Sequence, residues 1–242
     1  MTSLRDDLLP VRNYGVCFYV LRDGDSLYLL DSGFIGGPAC LDRVLADRGW
    51  SEIPIRGIIL TNGHLDHILN VAAFAHRNNA WVAAPRLDLD HYTGHPTYRG
   101  LSRITGWLAA VGRRFLSFGA FTPDRLIDDG DCLDIWHGLQ AVHLPGHTRG
   151  HTGYYCEKLK LLFCADLFAS IAHLTHLPPV FFNDDSSQIE VSLERALSLD
   201  ITGVIPNHCD RAGPEVHLAR LQRLAQQSRT SSRDHAGHES PS

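Results

Sequence analysis

The segment "LTNGHLDHIL", Leu60 to Leu69, follows the apolar run "IRGIIL" and places His64, Asp66 and His67 within four residues. An extended chain past a strand puts alternate side chains on one face, so Asn62 and His64 share a side. Asp66 and His67 follow where the chain turns into a helix that starts near Ile68. Four polar side chains can therefore meet just beyond a strand end, where sites in strand-and-helix architectures lie. A plainer reading makes Asp66 a helix cap and both histidines surface residues.

The rest of the chain weighs against the plainer reading. "LPGHTRGH" (144–151) sets another histidine in a Gly-Pro loop after a strand, "LLFCAD" (161–166) ends on Asp166, and "GVIPNHCD" (203–210) carries His208. Apolar strands repeatedly end in a metal-binding residue type, which isolated surface histidines do not explain. The chain holds 15 histidines against 22 Lys plus Arg, and His is the commonest metal ligand.

Outward from these motifs, "GVCFYVLRDGDSLYLLDSG" predicts two strands about a turn at Asp23–Asp25. A helix over "GPACLDRVLADRG", a strand at "IPIRGIIL", a helix over "ILNVAAFAHRNN" and a strand at "AWVAAP" complete a ββαβαβ order. Residues 97–118 carry Leu101, Ile104, Leu108, Val111 and Phe115 at helical spacing, with Trp107 and Phe118 close by. This reads as a helical insertion serving as an apolar lid, as core packing or as a contact in a homodimer. Strands follow at "CLDIW", "LQAVHL", "TGYYCE", "KLLFCA" and "GVIP", with helices over "QIEVSLERALSL" and from Pro214. A single domain over 1–227 and a disordered tail over 228–242 are expected. The pattern is compatible with two sheets packed face to face under outer helices.

Composition narrows the function classes. The chain has 242 residues, 44% hydrophobic and 20% charged, with a formal net charge of -5 and no long basic run. That argues against a nucleic-acid partner. The expectation is no signal peptide and no membrane partner, hence a cytoplasmic protein. Six scattered cysteines without a C-x-x-C are expected to be buried small hydrophobes.

In "TNGHLDH", "PGHT", "CAD" and "PNHCD", taken in order, the chain resembles the metallo-β-lactamase superfamily of hydrolases, whose signature is T-H-x-H-x-D-H followed by His, Asp and His at later strand ends. "LLDSG" (29–33) is similar to that family's early strand and turn. The resemblance covers residues 14 to 210. It implies an α+β fold, an αββα sandwich of two mixed sheets with helices outside. It implies one metal site of Asp66, His67 and His208, another of His64, His147 and the position of Asn62, and a bridging Asp166. It further implies that His151 and Asp31 support the site, with Asp66, Asp166 and His151 as catalytic groups.

Asn62 stands where the family has histidine. A neutral amide oxygen suits hard cations better than zinc. The expectation is one tight Zn and a second, weaker one, with Mn or Fe as alternatives. Metal acidifies bound water towards a pKa of ~7, so the implied function is metal-hydroxide attack on a small-molecule thioester, ester or lactone. Relatives that act on glutathione thioesters carry a substantial C-terminal helical domain, and with 33 residues after Cys209 glutathione thioesters are not specially favoured as the expected substrate. Competing readings are a non-catalytic metal-stabilised binding or regulatory module and, lower, a β-lactam hydrolase. The loop histidines His91, His95, His173 and His176 are further residues that can face the cleft. Thr61 and Thr148 flank ligands, and Cys209 is not assigned to metal.

Overall fold

In the computed structural model, which describes residues 5–98 and 100–236, the strands sort into two mixed sheets. The first contains β1 (Leu8–Asn13), β2 (Val16–Asp23), β3 (Ser26–Leu30), β4 (Ile55–Ile59), β5 (Trp81–Pro85) and β6 (Arg125–Ile127), in that spatial order. Its first three strands are antiparallel and the rest run parallel from β3 onward. The second contains β7 (Cys132–Leu133), β8 (Leu139–His143), β9 (Thr152–Cys156), β10 (Leu161–Ala165) and β11 (Gly203–Pro206), in the order β11-β10-β9-β8-β7. Only β10 and β11 are parallel there. The helices are α1 (Gly37–Arg48), α2 (Leu65–Ile68), α3 (Val71–Asn78), α4 (Leu89–Tyr92), α5 (Arg103–Phe115), α6 (Ile189–Ser198) and α7 (Pro214–Ala236).

Alternation along the strands creates the layers, because successive side chains face opposite sides. In β2, Tyr19 and Leu21 face the second sheet and join Tyr154 and Phe163 in the central core. Their neighbours Phe18 and Val20 face outward against Leu41 and Leu45 of α1 and Phe74 of α3. On the other side, Val142, Leu162 and Val204 pack under Leu193 of α6 and Leu221 of α7. Three apolar layers between four structural layers make the expected αββα sandwich.

Two buried tyrosines tie the sheets together at the site end. Tyr19 of the first sheet donates to the Pro206 carbonyl at the end of β11, 2.6 Å away. Tyr154 of the second donates to the Leu60 carbonyl just past β4, at 2.8 Å.

Several expectations need correction. β1 and β6 are additional strands; β1 contains Pro10, which an edge strand tolerates because its outer N–H needs no partner. "CLDIW" forms only the two-residue β7. The helix after Asp66 is split into α2 and α3 at Leu69–Asn70. The last helix continues through Ala236, past Ser228 where a disordered tail was expected, and residues 237–242 lie outside the described ones. Cys17, Cys156 and Cys164 are buried as expected, but Cys132 is exposed on the edge strand.

Candidate metal centre

The candidate ligands and Asp31 sit past the C-terminal ends of strands, Asp31 after β3, Asn62 to His67 after β4, His147 after β8, Asp166 after β10 and His208 after β11, whereas His151 directly precedes β9. Two of these ends turn sharply. Asp31 has φ 67° and Ala165 has φ 48°, a left-handed conformation uncommon outside glycine. At Ala165 it ends β10 and turns the chain so that Asp166 enters the site.

Asp66, His67 and His208 bring one ligand atom each to within 4.8 Å of the others. His67 Nε2 stands 3.7 Å from Asp66 Oδ2, and His208 Nε2 stands 3.5 Å from both Asp66 Oδ2 and Asp166 Oδ1. The imidazoles are aimed from behind. His67 Nδ1 donates to Asp31 at 2.9 Å, His208 Nδ1 to the Gly15 carbonyl at 3.0 Å, and His147 Nδ1 to Asn183 Oδ1 at 3.2 Å. Each leaves Nε2 for the centre, as ligating histidines require.

The donor set fits a divalent cation. Asp166 Oδ1 is buried without a hydrogen-bond partner, while His67 Nε2 and His147 Nε2 crowd Asp166 Oδ2 at 2.7 and 3.2 Å, a convergence of buried donor atoms that a cation would satisfy. Burial by itself would depress the His67 imidazole, but Asp166, Asp66 and Asp31 outweigh it and hold it well above its ordinary value. Burial likewise opposes the charge on Asp66 and Asp166, but the facing histidines hold both carboxyls below their usual range. His64 differs: burial, His147 and His91 push it well down, so it is neutral, as a ligand must be.

The other half of the centre is incomplete. His64 and His147 meet with ring centroids 4.4 Å apart, and His147 Nε2 lies 3.2 Å from Asp166 Oδ2. Asn62, expected at a ligand position, is engaged otherwise. Its Nδ2 donates to Asp166 Oδ2 at 3.1 Å, and its Oδ1 accepts the His64 backbone N–H at 2.9 Å. Reversing the amide would set donor against donor and oxygen against oxygen. Asn62 is thus a brace for Asp166, with its Nδ2 turned to the carboxylate and one lone pair of its oxygen taken by the His64 N–H.

His151 also requires correction. Its Nδ1 donates to the Leu144 carbonyl at 2.7 Å and its Nε2 accepts the Asp166 N–H at 3.1 Å. With both nitrogens occupied, it positions the Asp166 backbone and has no atom left for substrate. Burial, with His147, pushes its pKa down to about 3, which keeps it the neutral acceptor this bond needs. Thr61 and Thr148 point to Asp31 and Asp88. Cys209 faces Cys17, 3.9 Å away, behind the site.

Sequence reading missed Asp88. Fully buried, it accepts the Gly63 N–H at 2.9 Å, the Thr148 hydroxyl at 2.6 Å and the Gly150 N–H at 2.7 Å. It clasps the loop of His64 to the loop of His147. A side chain at Gly150 would strike it, since a Cβ there lies 2.8 Å from Asp88 Cγ. Its signal was present: "AWVAAPRLD" is one more strand followed by a carboxylate. His91, one of the loop histidines, is buried and donates to the Gly63 carbonyl at 2.8 Å. His176 lines the cavity described next, whereas His95 and His173 are exposed outside its walls.

The centre forms the floor of a cavity of about 520 Å³. Asp66, Asp166, His147 and His208 lie at one end, and Val16, Phe34, Leu65, Phe168, Pro178 and Phe182 furnish apolar walls. One edge of α5, from Thr105 to Gly112, completes the rim.

Comparison with known proteins agrees with this geometry. The family model for the metallo-beta-lactamase superfamily matches residues 13–208. A hydroxyacylglutathione hydrolase of Aeromonas hydrophila is 30% identical over 165 residues, 67% of this chain and 50% of that protein. The acyl-coenzyme A thioesterase MBLAC2 of Gallus gallus is 30% identical over 125 residues, 50% of this chain and 41% of that protein. The chain thus spans about half the length of the first curated relatives it matches. A metallo-beta-lactamase family protein from Thermus thermophilus superposes with a TM-score of 0.73 at 18% identity, covering 94% of this chain and 81% of that one. A subclass B3 metallo-beta-lactamase of Bradyrhizobium japonicum gives 0.68 at 20%, covering 98% and 95%. These two likenesses concern the fold alone. With motif, sandwich and ligand cluster all in agreement, the chain belongs to the metallo-beta-lactamase superfamily.

Proposed function

We propose that this protein is a metal-dependent hydrolase of acyl thioesters with an apolar acyl group. The observation that carries the reading is the cavity: a floor of carboxylate and imidazole donors suited to a divalent cation lies under walls that are almost wholly apolar. The names of two relatives, a hydroxyacylglutathione hydrolase and an acyl-coenzyme A thioesterase, support the same reading. Asp66, His67, Asp166 and His208 would hold the tight cation. When bound, it would acidify a water and polarise the acyl carbonyl.

The chain's own residues do the rest. Asp66 Oδ2, ionised and about one-third exposed to the cavity, is placed to take the proton of an attacking water. Asp166 is fixed by the His151 ring on its backbone and by Asn62 on its carboxylate. The apolar walls bind the acyl chain and hold its carbonyl at the floor.

The test is hydrolysis of acyl-coenzyme A esters of increasing chain length by protein loaded with Zn²⁺ or Mn²⁺, alongside a lactone and a β-lactam. We expect kcat/KM to rise with chain length by up to about fourfold per methylene, the equivalent of ~0.8 kcal/mol. Chelator should abolish the reaction, and Asp166→Ala should abolish it while weakening metal binding. A loaded protein inert towards every substrate would favour the metal-stabilised binding module. Preferential β-lactam cleavage would refute the thioester assignment.

A further inference from the structure

The insertion does not end as a closed lid or as core packing. Leu101, Ile104, Trp107, Leu108, Val111 and Phe115 are 40% to 76% exposed. From Ile104 they follow at i+3, i+4, i+7 and i+11, one stripe along α5. The helix is not adrift. Arg113, on the opposite side, donates to the His91 carbonyl at 2.9 Å and lies over Phe118. Gly112 lies so close to Leu65 that a Cβ would come within 2.6 Å of it. The stripe therefore faces outward from a helix that is held in place. Val180 and Phe181, on the neighbouring turn that accepts the Thr105 hydroxyl, are exposed as well.

Charge identifies what covers this face. Residues 91–123 contain Arg99, Arg103, Arg113 and Arg114 but no Asp or Glu, and residues 167–183 contain no Asp or Glu either. These two acid-free segments frame the cavity mouth in a chain of net charge -5. Arg103 and Arg114 are exposed along one edge of the stripe, and neither forms a salt bridge among the described residues. The other edge of the stripe is the cavity rim, and Leu108 belongs to both. A second copy of the chain fits poorly, since a two-fold contact sets the patch against itself and brings like charges together.

We propose that α5 and its neighbouring turn dock on an anionic lipid surface, with the apolar stripe in the headgroup–acyl boundary and Arg103 and Arg114 among the phosphates. Interfacial helices have this construction. The cavity mouth then opens at the membrane surface, where amphiphilic acyl substrates partition. The expectation of no membrane partner came from the lack of a spanning segment, and no described helix is long and apolar enough to cross a membrane; docking on one face needs none. This inference rests on the thioesterase reading only for what enters the cavity.

The test is cosedimentation of the full chain with vesicles of pure phosphatidylcholine and of equal parts phosphatidylcholine and phosphatidylglycerol. Binding is expected to the anionic vesicles, weakening as salt rises. Trp107→Glu with Phe115→Glu should abolish it. Arg103→Gln and Arg114→Gln should each weaken it about fivefold. Trp107 emission should shift to the blue on binding, and Trp107→Phe should bind without that shift. Metal content and turnover of a short, soluble thioester should be unchanged in the Glu variants, which separates loss of docking from loss of fold. Equal binding to neutral vesicles, or none to either, overturns the proposal even where hydrolysis stands. A solution dimer dissolved by the Glu variants, without vesicle binding, overturns it in favour of self-association.

Discussion

At the scale of single residues, the proposed asymmetry of the centre turns on one amide. Asn62 gives Asp166 a donor where an imidazole would give a cation a lone pair. Asn62→His should raise bound metal from about one towards two per chain, read by elemental analysis after loading; an unchanged ratio would count against the amide as the limiting group. Protons compete for the same atoms. Burial opposes protonation of His208, yet Asp166 and Asp66 raise its pKa from 6.5 to about 9. A folded pKa above the unfolded one stabilises the metal-free protein fully below 6.5 and loses that contribution as pH rises through about 9. Metal-free protein should thus unfold at lower urea at pH 9 than at pH 6, while its cation affinity rises over the same range because loading expels protons. Equal urea midpoints would argue against a charged imidazole. The clustering of the candidate ligands was legible because His and Asp are chemically distinctive at strand ends. The positions of the Asn62 amide and of both His151 nitrogens were not, since they depend on partners up to 104 residues away.

At the scale of elements, loops carry the ligands and one carboxylate holds the loops. Asp88→Ala would leave the Gly63 and Gly150 N–H groups and the Thr148 hydroxyl without their buried acceptor. Bonds to a charged group contribute about 1.5–3 kcal/mol each, and orphaned buried donors add to the loss. A drop in unfolding free energy of about 3 kcal/mol or more is expected in urea titration, with weaker cation binding. A variant as stable as the parent would show that water replaces the carboxylate. Periodicity revealed α1, α3, α5 and α6 and most strands, because each has an apolar face at a clear spacing. It could not reveal β1, where Pro10 interrupts the pattern, or β6, three residues long. It gave the stripe on α5 but not its exposure, because spacing says which residues share a face and not what covers that face.

At the scale of the whole molecule, the order of strands and helices was compatible with two packed sheets and the family resemblance implied the αββα order, whereas the meeting of candidate ligands across sheets required the fold. Asp66 and His67 hang from the first sheet, Asp166 and His208 from the second. A cation held by all four staples the sandwich. At a hundred times its dissociation constant it should add about 2.7 kcal/mol, so chelation should lower Tm by roughly 5–10 °C; a calorimetric scan unmoved by chelator would mean that no cation binds preferentially to the folded sandwich. The two crossing tyrosines extend this logic away from the floor of the cavity. Tyr19 and Tyr154 act as struts of fixed length, each reaching from one sheet to the strand end on the other that precedes a ligand loop. The thickness of the sandwich is thereby a chemical variable: trimming a strut that touches neither metal nor substrate would change the bite of the chelate, and with it which ion the protein prefers.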